Sequence, residues 1–80
     1  MENRNETYLS PQQLAIRWNA PMHAVYVIAL GQHRYAARVG RLLTLSRAGH
    51  CYFPLREVMA LERKFAQARV SLSQVVEELR

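Results

Sequence analysis

The chain has 80 residues, half of them apolar, and a formal net charge of +5. So much apolar surface excludes a disordered polyampholyte, and so short a chain leaves room for one small domain, whose core buries only about 60–65% of the surface exposed on unfolding. Of the 11 basic residues one, Lys64, is a lysine; the rest are arginines, whose planar fork grips phosphate and guanine edges with two bonds.

The charges are unevenly placed. No carboxylate lies between Thr7 and Arg56, a stretch that holds Arg17, Arg34, Arg38, Arg41, Arg47 and Arg56, whereas Glu2 and Glu6 precede it and Glu57, Glu62, Glu77 and Glu78 follow. Like charges repel one another in a compact state, so a one-signed segment points outward to a polyanion, with nucleic acid first. Arginine bias alone also follows from a GC-rich coding sequence.

Cys51 is the single cysteine, so no internal disulfide is expected. The apolar run from Ala24 to Leu30 is far short of the ~20 residues that span a bilayer, and no targeting signal is visible, so no membrane association and a cytoplasmic place, on the nucleoid or in a host cell, are expected.

Residues 1–7 are polar and read as a flexible N-terminus. Leu9-Ser10-Pro11-Gln12-Gln13-Leu14 then spells a helix start: Ser10 as N-cap, Pro11 at N1, Gln13 closing a capping box and Leu9 stapling to Leu14. This helix runs to Trp18, with Leu14, Trp18 and one of Ala15 or Ile16 inward. Asn19-Ala20-Pro21 makes a short turn into a second helix that ends near Leu30, with Gly31 as its left-handed stop. Gln32 to Tyr35 reads as loop, Ala36 to Val39 as strand, Gly40-Arg41 as a bend and Leu42 to Leu45 as further strand. After a turn at Ser46 to Gly49, His50 to Phe53 returns as the pairing strand, which makes a hairpin with Arg47 at its tip. From Leu55 an apolar stripe, Val58, Leu61, Phe65, Ala68, Leu72, Val75 and Leu79, continues to the end. It reads either as one helix or as two, because Val70 to Val75 repeats the cap grammar of Leu9 to Leu14.

The expected fold is therefore mostly α with a small β-hairpin and a C-terminal helix or helix pair. Tyr8 to Ala15, Val25-Tyr26, Ala36 to Arg41 and Phe53 to Val58, taken together, resemble the excisionase and MerR-type winged helix-turn-helix family over residues 8–62, which leaves 63–80 as a C-terminal helical extension. The resemblance implies that the second helix enters the major groove of double-stranded DNA and that the hairpin, as a wing, follows the neighbouring minor groove or backbone. It also implies a small phage, plasmid or other mobile-element protein acting in recombination or transcription regulation, with a recombinase among its protein partners. Two departures stand out: the second helix offers only His23 and Tyr26 as polar readers, and the hairpin is longer than the compact wing of small excisionases.

On these grounds the candidate DNA-binding residues are Met22, His23 and Tyr26 on the second helix and Arg34, Arg38, Arg41 and Arg47 around the wing. Four phosphate contacts from those arginines would give a slope of log affinity against log salt of about −3.6. The plainer alternatives are Met22 and Tyr26 packed on Trp18 and a solvated basic edge that protects a hairpin from aggregation. Val58, Leu61, Phe65, Leu72, Val75 and Leu79 form either a homo-oligomer seam or an intramolecular lid on the first two helices.

No metal or cofactor is expected, since His50 and Cys51 are neighbours on a strand and face opposite ways, and His33 adds no paired spacing. Cys51 reads as a small core residue. Without a glycine-rich phosphate loop, paired carboxylates or a triad, an enzyme is not expected. A second function class is a winged-helix module for protein interaction, such as an inhibitor of a host nucleic-acid-processing complex, which would use the Val27-Ile28-Leu30 surface.

Overall fold

The first helix, α1 (Pro11–Trp18), begins as its local signals dictate. In the computed structural model, which describes residues 7–42 and 44–80, the Ser10 hydroxyl accepts from the Gln13 amide at 3.2 Å and the Gln13 side chain accepts from the Ser10 amide at 2.9 Å. Both halves of the capping box are closed. Residues 1–6, read as flexible from the sequence, lie outside the described residues; Thr7 does not, and its carbonyl accepts from the Leu55 amide at 2.8 Å.

Three helix ends share one device. After α1, after α2 (Met22–Ala29) and after the long α4 (Leu55–Gln67), a left-handed residue lets two amides fold back on the last turn: Asn19 and Ala20, Gly31 and Gln32, Arg69 and Val70. This is the pattern of a Schellman stop, for which glycine and asparagine are suited and arginine is not. The stop at Arg69 divides the C-terminal apolar stripe into two helices, and Ser71 caps the second, α5 (Leu72–Glu78), by accepting from the Gln74 amide at 3.2 Å.

Between α2 and the hairpin the structure corrects the expectation. Arg34–Val39 is not loop and strand but a helix, α3, and the strand expected at Leu42 to Leu45 begins only at Leu45. Leu43 lies outside the described residues. The physical reason is composition: alanine and arginine are among the best helix formers, alanine is depleted in strands, and four residues are too few for a period to decide. Leu42 closes the excursion, its amide donating to the Ala29 carbonyl at the end of α2.

The sheet has three antiparallel strands in the order β1 (Tyr8–Leu9), β3 (His50–Pro54), β2 (Leu45–Arg47). Tyr8 lies opposite Pro54 and Leu9 opposite Phe53, while Leu45, Ser46 and Arg47 lie opposite Tyr52, Cys51 and His50. The turn is two residues, Ala48 and Gly49, both at positive φ (52° and 78°), as the right-handed twist of a two-residue hairpin requires. Arg47 therefore ends β2 beside the turn rather than occupying its tip.

One core gathers all the layers. Leu14 and Trp18 of α1, Val25 and Ile28 of α2, Ala36 of α3, Phe53 of β3, Val58, Leu61 and Phe65 of α4, and Val75 and Val76 of α5 are buried together. The self-association seam is thereby corrected: Val58, Leu61, Phe65 and Val75 are internal, and Leu72 and Leu79 pack against the same cluster. The reason is topological, because the bend at Arg69 lays α5 across α1. Position 62, expected as a domain limit, lies inside α4, and Phe65, Val75 and Val76 beyond it belong to the common core. No helix among the described residues is long and apolar enough to cross a membrane.

Candidate nucleic-acid interface

The first turns of α2 stand across a groove from the hairpin turn. Met22 and Tyr26, with Ser10, Pro11 and Gln12 at the start of α1, line one side; Gly49, His50, Cys51 and Tyr52 line the other, enclosing about 180 Å³. Met22 and Tyr26 remain 37% and 38% exposed. Among the lining residues none is a carboxylate. The hairpin and a helix face are thus brought together with no carboxylate among the described lining residues, so nothing in that lining repels a phosphate-bearing surface.

His23 does not share this groove. Its Nε2 is hydrogen-bonded to the Leu79 carbonyl at the end of α5, a tie between α2 and the C-terminal helix that competes with the base-reading role expected for it. Arg80 strengthens the same junction by donating to the Asn19 carbonyl at 2.6 Å.

The arginines expected as one wing cluster occupy separate places. Arg34 and Arg38 are on α3, not on the hairpin, and Arg38 lines a cavity of about 230 Å³ at the bend between α4 and α5, together with Arg69, Ser71 and Gln74. Arg41 follows Gly40 and lies against Gly31 beyond the end of α2. Arg47 alone of the four belongs to the hairpin, where it lies opposite His50.

The acid-free stretch is partly balanced in space. Glu62 of α4 accepts from Nε and Nη2 of Arg17, each at 2.8 Å, and from the Trp18 indole at 2.8 Å. The hydrogen bonds from Arg17 hold the Glu62 carboxyl below the usual carboxylate range, against the opposing cost of partial burial and with further help from Trp18. The same bond raises Arg17, which therefore stays charged. Glu78 meets His33 at 3.0 Å, and Glu57 lies 3.9 Å from Arg56. Among the described residues, Arg38, Arg41 and Arg47 form no ion pair.

Cys51, expected in the core, is half-buried at the groove. No group of three His, Cys, Asp or Glu side chains among the described residues is placed to hold a metal ion. Ile28 is fully buried, whereas Leu30 is 44% exposed, so the apolar surface of α2 is smaller than its composition suggests. The features that residue order did not disclose are β1, whose two residues carry no period, and the exposed Tyr8 and Tyr52 that it brings onto one sheet.

Comparison with protein-family models, with curated proteins and with solved structures gives no match for this chain. Its class is that of a mostly helical small domain with a three-stranded antiparallel sheet.

Proposed function

We propose that this protein binds double-stranded DNA in the manner of a winged helix, with α2 presented to the major groove and the β2–β3 hairpin to the adjoining backbone. The observation that carries this is the carboxylate-free groove in which Met22 and Tyr26 of α2 face the hairpin turn. Tyr26 supplies a phenol for a phosphate oxygen, Met22 an apolar contact for a thymine methyl, and Arg47 a guanidinium without an ion-pair partner among the described residues. Sequence preference is modest on this reading, because His23 is engaged by Leu79 and leaves α2 with a single polar reader in the groove. The excisionase-like role, in recombination directionality or transcription regulation of a mobile element, fits a module whose small footprint gains occupancy from a second copy or a recombinase on the same DNA. Fluorescence anisotropy with random duplex DNA, read against salt, tests the proposal.

One observation favours a protein-interaction module instead. Ile16 on α1 is 80% exposed, an apolar side chain that the core does not use, and Leu30 is also open. Pull-down by the wild type but not by an Ile16→Lys variant, with no duplex binding by either, would select that reading.

A further inference from the structure

The outer face of the sheet carries a further set of side chains, which meets the groove at His50 and Tyr52. Leu9 and Phe53 turn inward, Phe53 being fully buried, so the alternation of a strand sends Tyr8 and Tyr52 to the other side. Leu45 lies directly opposite Tyr52, and Arg47 directly opposite His50, on that same face. Tyr8, Leu45 and Tyr52 are 43%, 40% and 36% exposed and, with Arg47, line an open hollow of about 420 Å³. None of these side chains is acidic.

We infer that this face is a stacking platform for unpaired bases of single-stranded DNA. Tyrosine rings on a sheet offer π-faces to any base, and adjacent guanidinium charge follows the phosphates; that combination, rather than aliphatic area, is what single-strand binding uses. Tyr8 and Tyr52 are diagonal neighbours across adjacent strands, a separation of about 7–8 Å that lets each ring carry its own base. Charge complementarity decides the occupant: Arg47 flanks the rings, no carboxylate among the described residues lines the hollow, and the chain as a whole is +5. The inference rests on the duplex-binding proposal for its choice of DNA, since Tyr52 borders both the groove and the platform, so a strand displaced from a duplex held in the groove meets the platform next.

The test is anisotropy of the full chain with a labelled oligothymidylate of about 12 nucleotides, within the site sizes of single-strand modules, and separately with duplex DNA. The wild type is compared with a Tyr8→Leu/Tyr52→Leu pair, which keeps apolar area but has no π-face, and with a Tyr8→Phe/Tyr52→Phe pair, which keeps the rings. The platform predicts at least tenfold weaker oligothymidylate binding for the leucine pair and near wild-type binding for the phenylalanine pair. A Tyr8→Leu single variant, whose side chain lines the platform but not the groove, should weaken oligothymidylate binding while duplex binding changes less than twofold. Duplex binding without oligothymidylate binding in the wild type overturns the platform and leaves the duplex proposal standing; binding of neither overturns both. Equal oligothymidylate binding by the leucine pair and the wild type, with circular dichroism showing both folded, also overturns the platform.

Discussion

Glu62 accepts from two guanidinium nitrogens of Arg17, Nε and Nη2, each at 2.8 Å, although 45 residues separate them. A carboxylate from the mixed-charge C-terminal part thereby neutralises an arginine from the acid-free part, and the same oxygen that accepts from Arg17 Nε satisfies the indole of Trp18. The junction holds α4 on α1 and gives Arg17 an ion-pair partner within the chain.

Replacing Glu62 with alanine removes that junction and leaves a mostly buried indole N–H unpaired. Because Arg17 is itself 38% exposed, the loss is about 1–2 kcal/mol rather than the cost of a buried ion pair. Urea unfolding at neutral pH measures it. The folded pKa of Glu62 is lowered, so the contribution is present above the ordinary carboxylate range and disappears as pH falls through the lowered value. The gap between wild type and Glu62→Ala should therefore close on acidification.

Two residues sit in left-handed backbone that their side chains do not favour, Ala48 at φ 52° and Arg69 at φ 59°. Ala48→Asn restores the Asn-Gly pair preferred in a two-residue hairpin, and Arg69→Gly relaxes the stop between α4 and α5. Each should raise stability by about 0.5–1 kcal/mol in thermal or denaturant unfolding.

Phe65 separates a core from a seam. It is 2% exposed within the monomer, so Phe65→Glu should give an unfolded chain by circular dichroism, because a charge enters a site with no partner. A folded monomer replacing a wild-type dimer in analytical ultracentrifugation would be the signature of the seam instead.

What residue order disclosed, and what it hid, divides by distance along the chain. The cap at Ser10, the stop at Gly31 and the break before Ser71 are signals within a few residues, and each appears in the fold. The apolar stripe from Val58 to Leu79 was legible as a face, but periodicity says nothing of what covers that face; the bend at Arg69 directs it inward. α3 was hidden because Ala36-Ala37-Arg38-Val39 is too short for either period, and its helical state removes Arg34 and Arg38 from the hairpin. The pairing of Arg17 with Glu62 and the tie of His23 to Leu79 join distant segments, which no spacing reveals. Met22, Tyr26 and the hairpin do meet, because α2 and β3 both pack on the core through Val25, Ile28 and Phe53.

The tie to Leu79 makes His23 a negative control for the site. His23→Ala should alter duplex affinity less than twofold, whereas Tyr26→Phe, which deletes only the hydroxyl, should weaken it about three- to tenfold, as expected for one lost hydrogen bond. Competition titrations at one salt concentration separate the two.

The most direct measurement is the salt dependence of anisotropy for a random duplex with the wild type and Arg47→Ala. The account predicts log affinity falling linearly with log salt for the wild type, and a slope shallower by about 0.9 for Arg47→Ala, the share of one phosphate contact. Binding that ignores salt, no binding, or an unchanged slope in Arg47→Ala would contradict it.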